Sequence, residues 1–276
     1  MQFNKQKKLG QVFLKDQSAI KQIIRESKIS KKDLVLEIGP GKGILTQSLL
    51  KTGANVIAVE KDPKLAKFLQ NKFGNKPNLK IIQADIRDFL NSEFQILDSN
   101  FKVVGNIPYY LTSHLIKLLL ELENQPQNII LMVQKEVAQR IVSNPLSCRQ
   151  NYKRQAKMNL LAASVQFYAK PEIISYVSKT AFSPIPKIDS AIIKLTPYPL
   201  NRKNKAIKQA YFETIKAGFK QPRKLLLNNL SLNLKINKES VKEALRQLNI
   251  PLDARAQDLS IDKWISLSLL LNNNSV

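Results

Sequence analysis

Between residues 34 and 134 the chain repeats one pattern, a short apolar run followed by a helical stretch. The runs are LVLEIG (34–39), NVIAVE (55–60), LKIIQAD (79–85), FKVVGNI (101–107) and NIILMVQ (128–134). Runs without polar alternation suit strands buried on both faces, the hallmark of a parallel sheet. Between them lie helical stretches such as ILTQSLLK and PKLAKFLQNKF. The second opens with Pro63 in its first turn, where the missing N–H costs nothing. This rhythm constrains the chain to a doubly wound, mostly parallel α/β sheet with right-handed crossovers. Two later runs, SVQFYAK (164–170) and SAIIKLTP (190–197), are expected to add edge strands.

The pattern changes near residue 198. PYPLNRKNK reads as a polar linker, and KAIKQAYFETIKAGF, PRKLLLNNL, KESVKEALRQLN and DKWISLSLLL all read as helices. The expected division is a sheet domain over 1–198 and a small all-helical domain over 199–276, each within the usual range of domain size.

In open α/β sheets, ligands bind beyond the carboxyl ends of the strands. The first strand ends in EIGPGKG, where Gly39, Gly41 and Gly43 allow a sharp turn and close approach of a ligand. The spacing G-x-G-x-G is not the dinucleotide fingerprint, and no Walker lysine motif occurs, which argues against dinucleotide binding and nucleotide hydrolysis. The second strand ends at Glu60, placed to accept both hydroxyls of a ribose. The third ends at Asp85, placed to accept from an adenine amino group. Any one of these features is also compatible with a plain turn, a helix cap or a surface acid. Together they point to adenosine without pyrophosphate, and S-adenosylmethionine fits that description.

The fourth run ends in Asn106-Ile107-Pro108-Tyr109. Pro108 fixes the chain direction, so the Asn106 side-chain oxygen and the carbonyl that follows converge on one spot. Two such acceptors can hold both hydrogens of an exocyclic amine and free its nitrogen lone pair for attack. Tyr109 offers a flat ring on which an extruded base can stack. No strong general base is needed, and positioning and electrostatics carry the chemistry.

Composition points to the partner. The 276 residues hold 44 Lys and Arg against 21 Asp and Glu, a formal charge of +23. Such an excess favours nucleic acid, because each neutralised phosphate releases counterions. Residues 149–157 carry four basic residues and no acid, Lys153 and Arg154 among them. Residues 202–224 carry eight, including Lys220, Arg223 and Lys224, against the single Glu213. Either run also suits a solvated face, and the RNA track is the reading favoured here. Cys148 is the only cysteine and His114 the only histidine, so neither a disulfide nor a cysteine- or histidine-based metal set is expected. Lys135 and Glu136 are expected to begin a helix in a solvated or tethering role. The first residues lack an apolar core fit for a signal peptide, and no window has the length of a membrane span. A cytoplasmic, soluble protein is expected.

The motifs together resemble those of the small-subunit ribosomal RNA adenine N6-dimethyltransferases, relatives of the erythromycin-resistance methylases. The resemblance spans KKLGQVFLKD, EIGPGKG, VE (59–60), AD (84–85), GNIPYY, QKEVAQRIV (134–142), FSPIPKIDSAIIKL (182–195) and RAQDLS (255–260). It implies a Rossmann-like methyltransferase domain. It also implies S-adenosylmethionine contacts at Leu14, Gly39, Glu60, Asp85 and Asn106, and a target-adenine motif of Asn106, Pro108 and Tyr109. Phe182 matches an aromatic on the opposite face of the base from Tyr109. Three stretches depart from the family pattern. Val12 replaces the polar residue of G-Q-N-F-L, so any cofactor contact there must use the backbone or be lost. Tyr152-Lys153-Arg154-Gln155-Ala156 stands where relatives carry Tyr-Gly-x-Leu-Ser, and Gln221-Pro222-Arg223-Lys224 where they carry Q-R-R-K. The implied substrate is a pair of adjacent adenines in the 3′-terminal hairpin loop of small-subunit ribosomal RNA, dimethylated by a monomer within a pre-ribosomal particle. Two alternatives stay open: a resistance-type methylase of large-subunit RNA, and a catalytically silent RNA-binding assembly factor. An NAD-dependent dehydrogenase is a distant third.

Overall fold

The computed structural model describes residues 12–92, 101–107, 111–145, 157–198 and 205–273. The chain divides into two compact units, one of Met1–Ala138 with Lys170–Pro197 and the other of Gln139–Ala169 with Tyr198–Val276.

The first unit is built on a sheet. It opens with β1 (Phe13–Leu14) and α1 (Gln17–Ser27), followed by β2 (Leu34–Ile38), α2 (Ile44–Leu50), β3 (Asn55–Glu60), α3 (Pro63–Phe73), β4 (Leu79–Gln83) and α4 (Ile86–Ser92). Then come β5 (Phe101–Asn106), α5 (Thr112–Glu121), β6 (Ile129–Gln134) and α6 (Lys135–Ile141), whose last residues belong to the second unit. Later, α7 (Leu160–Tyr168) precedes β7 (Ala169–Val177), β8 (Phe182–Ser183) and β9 (Ser190–Pro197). Among the described residues seven strands form one sheet in the order β4-β3-β2-β5-β6-β9-β7, while β1 and β8 pair separately. The pairs β2/β3, β2/β5, β3/β4 and β5/β6 are parallel and β6/β9 is antiparallel. The sheet is thus the mostly parallel, doubly wound one that the alternation demands. β5 and β6 are buried almost throughout, as continuous apolar runs require, whereas β4 lies at the edge and is only partly covered.

Local chemistry sets the helix starts. Asp16 caps α1 by accepting from the Ser18 N–H at 2.7 Å. Asp62 caps α3 in the same way at Lys64, 2.8 Å, with Pro63 in the first turn. The ribbon of β1 and β8 is antiparallel, with Phe13 opposite Ser183 and Leu14 opposite Phe182. Leu14 and Phe182 enter a core cluster with Ile20, Ile23, Val104 and Met132.

Two of the expected edge strands turn out otherwise. SVQFYAK is mostly helix, because α7 runs to Tyr168 and only Ala169 and Lys170 enter a strand. Asn159 starts that helix by accepting from the Ala162 N–H at 3.0 Å. A fully buried helix and a buried strand give the same apolar run, so periodicity could not separate them. SAIIKLTP is a strand as expected, but β9 lies between β6 and β7 and is no edge.

In the second unit α7 packs with α8 (Lys205–Gly218) and α11 (Ile261–Asn273), and α9 (Leu226–Leu234) and α10 (Lys238–Gln247) complete the helical set. The described residues 139–145 and 157–169 precede the expected boundary yet fold with these later helices. The Tyr211 hydroxyl donates to the Ala163 carbonyl at 3.0 Å, and the Tyr211 ring stacks on Phe167 with centroids 4.3 Å apart. Trp264 is fully buried, and its ring occupies the space that a Cβ on Gly218 would need.

Candidate active site at the carboxyl ends of the strands

The turn after β2 passes through Gly39, Gly41 and Gly43, all with positive φ. At two of them space as well as dihedral demands glycine. A Cβ on Gly41 would stand 3.1 Å from the Phe13 ring, and one on Gly43 would stand 2.5 Å from Phe73. The turn therefore lies tight between α3 on one side and the β1 residues on the other.

Glu60, the last residue of β3, holds this turn. Its Oε2 accepts from the Gly41 N–H at 3.0 Å and its Oε1 from the Asp62 N–H at 2.9 Å. Burial pushes its pKa up, and the two backbone donors pull it back. Each oxygen keeps a further lone pair, so the carboxylate can accept from a pair of hydroxyls without releasing the turn.

Glu37, inside β2, is a site residue to which sequence reasoning gave no role. It is 1% exposed, and neither carboxyl oxygen has a hydrogen-bond partner. Burial pushes its pKa up to about 8 and the Glu60 charge adds to the rise. Thr46 lies near enough to pull the other way, but no hydrogen bond of ordinary geometry joins the two. Glu37 is thus held neutral at pH 7. The signal was present, as an acid inside the apolar run LVLEIG, two residues before the first glycine. A buried acid without a partner is costly in a strand and is rarely retained there for packing alone.

Asn106 ends β5. Its side-chain Nδ2 donates to the Val12 carbonyl at 3.3 Å. A carbonyl can only accept, so this contact fixes the amide: its nitrogen faces Val12 and its oxygen faces away. Val12, Leu14, Gly39, Gly41, Glu60 and Asn106 line one cavity of about 100 Å³, which Glu37 and Ile107 also line. The sequence-expected contacts at these six positions are therefore gathered in one place.

Asp85 is not among the cavity's lining residues. It accepts from Arg87 Nε at 2.9 Å and Nη2 at 2.7 Å, and from Lys61 Nζ at 2.9 Å. The Arg87 guanidinium, with Lys61, holds its carboxyl well below the usual range. The carboxylate expected to accept from an adenine amino group thus meets Arg87 and Lys61 in this structure. Arg87 sits two residues on, at the start of α4, where its fork matches the carboxylate. Phe182 also departs from its expected place. It is 0% exposed, because its pairing with Leu14 draws the ring into the core, and no face is open to a base. Pro108, Tyr109, Lys153 and Arg154 lie outside the described residues. In the second unit Lys220, Arg223 and Lys224 are all exposed between α8 and α9. Their loop is tied by the Lys224 N–H to the Gln221 carbonyl at 2.9 Å and by Asn229 Nδ2 to the same carbonyl at 2.9 Å.

A mostly parallel sheet, a glycine turn held by the acid at the next strand end, and an asparagine at the following one define a Rossmann-like methyltransferase. Two solved structures share the fold. They are the 23S rRNA methyltransferase ErmE (TM-score 0.73, 26% identity, 94% of this chain and 99% of that one) and a dimethyladenosine transferase from Plasmodium falciparum (TM-score 0.76, 24% identity, 96% and 98%). The profile of the ribosomal RNA adenine dimethylases matches residues 2–273, and the chain belongs to that family. Among its relatives are proteins named ribosomal RNA small subunit methyltransferase A. The one from Dehalococcoides mccartyi is 39% identical over 97% of this chain and 89% of the relative. The one from Fusobacterium nucleatum is 36% identical over 97% of each.

Proposed function

We propose that this chain methylates N6 of two adjacent adenines in the 3′-terminal hairpin loop of small-subunit ribosomal RNA, using S-adenosylmethionine, to give dimethyladenines during ribosome assembly. The observation that carries this reading is the gathering of Glu60, the glycine turn and Asn106 around one cavity at the strand ends. The relatives' name supports the small subunit, and ErmE, at 26% identity, supports the large-subunit alternative less strongly.

The residues present fit the cofactor. A sulfonium-bound methyl group supplies the electrophile when the cofactor is bound. Glu60 accepts from the ribose hydroxyls while it keeps the turn in place. The unpartnered Glu37 carboxyl stands where a cationic group such as the α-ammonium can meet it, and a cation there favours its ionised form. At about 100 Å³ the cavity encloses the acid-lined floor of the site and not the whole cofactor, since pockets for whole ligands run to roughly 300–1,000 Å³. Asp85, already bound to two cations, fixes the adenine-side loop by holding Arg87, in place of the direct contact expected of it.

At the other end, Asn106 Oδ1 and the Ile107 carbonyl accept the two amine hydrogens, and the Val12 carbonyl holds the amide in the orientation this requires. Pro108 sets the chain direction and Tyr109 stacks on the base. With Phe182 buried, its part is to support Leu14 from behind. Lys220, Arg223 and Lys224, with Lys153 and Arg154, contact RNA phosphates. The protein acts in the cytoplasm as a monomer on a pre-ribosomal particle.

Purified protein supplied with methyl-labelled cofactor and with either small- or large-subunit ribosomal particles carrying unmethylated RNA tests the reading. Label should appear at adjacent adenines near the 3′ end of the small-subunit RNA. Label confined to large-subunit RNA would establish the alternative, and none on either would remove the enzyme assignment.

A further inference from the structure

The site reading leaves one feature of the sheet unit without a role, the loop over residues 184–189 between β8 and β9. Its two feet stand beside the Asn106 strand end. On one side, β8 pairs with β1, next to the Val12 carbonyl that receives the Asn106 amide. On the other, Ser190 lies opposite Gln134 of β6, two residues beyond Met132, which is opposite Asn106.

The loop is tied down at its base. Asp189 accepts the Lys179 N–H on its Oδ1 and the Lys135 N–H on its carbonyl, both at 3.0 Å. Pro184 and Pro186 restrict the backbone on either side of Ile185. What this braced loop displays is apolar: Ile185 is 63% exposed and Ile188 39%. Tyr176, 53% exposed, stands by the same base, since Lys135 sets its Nζ 5.1 Å from the Tyr176 ring centroid. Lys179 and Lys187 are exposed alongside, and of the nearby acids Asp189 is tied within the loop and Glu136 heads α6. A single exposed isoleucine means nothing. Two on a braced loop among lysines, at the edge where the amine-holding asparagine stands, form an apolar wedge within a cationic frame.

We infer that residues 184–189 form a second RNA contact, in which Ile185 and Ile188 pack against the bases left unstacked beside the extruded adenine and Lys135, Lys179 and Lys187 hold the flanking phosphates. This rests on the methyltransferase reading above. Enzymes that extrude a base must compensate for lost stacking, and apolar side chains inserted beside a base step do this in other nucleic-acid complexes. RNA loops offer such unstacked bases. The lysines favour RNA, because they complement phosphates that flank the bases on a chain whose charge is already +23.

The test uses the full-length protein and a synthetic RNA hairpin with two adjacent loop adenines, one neighbour replaced by 2-aminopurine. The double variant Ile185→Ser/Ile188→Ser should bind the hairpin about 10-fold more weakly and lose much of the 2-aminopurine fluorescence change, with the salt slope of binding unaltered. The double variant Lys179→Ser/Lys187→Ser should instead flatten that slope by about 1–2 units. Cofactor affinity by calorimetry should match wild type in both, which confirms folding, and Leu232→Ser, an exposed leucine of α9, should change nothing. Wild-type hairpin affinity in the isoleucine variant would overturn the inference. So would a loss seen only with RNA-free ribosomal proteins, which would make the loop a protein contact. Failure of the wild-type protein itself to bind the hairpin would overturn the RNA reading beneath and the inference with it.

Discussion

Glu60 and Asp85 end neighbouring stretches of the same sheet, and from sequence each looked like a carboxylate waiting for part of one nucleoside. The structure treats them differently. Glu60 is buried and bonded to two backbone N–H groups, so its charge is held by dipoles that belong to the turn it supports. Asp85 also accepts one backbone N–H, that of Arg87 at 3.0 Å, but its two oxygens are chiefly met by the cationic side chains of Arg87 and Lys61, the latter 56% exposed. An acid held by backbone donors keeps both its position and spare lone pairs for a ligand. An acid held by arginine and lysine is neutralised locally and works through them. Glu37, on β2, has no hydrogen bond of ordinary geometry to either carboxyl oxygen. The three acids form a series from unsatisfied to fully paired, and function is read from the unsatisfied end.

The largest expected effect is on Glu37. Its pKa in the folded protein, about 8, lies above the ordinary value of 4.5. The stability that comes from keeping it neutral is thus complete below pH 4.5 and is lost as pH rises through 8. The full loss is about 5 kcal/mol at 1.36 kcal/mol per unit. Thermal unfolding of Glu37→Gln should lack that decline between pH 4.5 and 8 and exceed wild-type stability at pH 9, and it should bind S-adenosylmethionine more weakly. Equal profiles across that range would place Glu37 outside the series.

Glu60→Ala should weaken cofactor binding by roughly 1.5–3 kcal/mol, because it removes charge-assisted bonds and frees the Gly41 turn. Calorimetry showing unchanged affinity would contradict the ribose assignment. Asp85→Asn should cost less, about 0.5–1 kcal/mol in stability, since its partners are solvent-exposed and screened. That share is present above the ordinary carboxylate pKa and is lost as pH falls below it, opposite in sign to Glu37. If Asp85→Asn instead weakened the cofactor as much as Glu60→Ala, the contrast between the two acids would fail. The smallest effect on the cofactor, none, is expected from reversing Lys220, Arg223 and Lys224 to Glu. RNA binding should weaken across unrelated sequences, and the slope of log affinity against log salt should fall by about 2–3 units. A wild-type slope would reduce these residues to a solvated face.

What the sequence showed and what it hid follow one physical line. The five parallel strands were legible because burial on both faces selects a continuous apolar run, as β5 and β6 illustrate, whereas the internal place of β9 and the β1/β8 ribbon were not. The glycine turn was legible because positive φ there demands glycine, and Glu60 and Asn106 because they fall at the carboxyl ends of strands, where ligands bind in such sheets. The helical identity of α7 was hidden because a buried helix and a buried strand look alike. Hidden too were the capture of Asp85 by Arg87 and the burial of Phe182 against Leu14. Both depend on where one side chain meets another in space.

The central claim is that Asn106 holds the adenine amine while its neighbours at the strand ends hold the cofactor. It is tested most directly by single-turnover methyl transfer to small-subunit ribosomal RNA by Asn106→Ala, with S-adenosylmethionine affinity measured on the same preparation. The account predicts loss of methyl transfer by a factor of about 100 or more with cofactor affinity changed far less. Transfer at the wild-type rate, or a loss of rate matched by an equal loss of cofactor affinity, would contradict it.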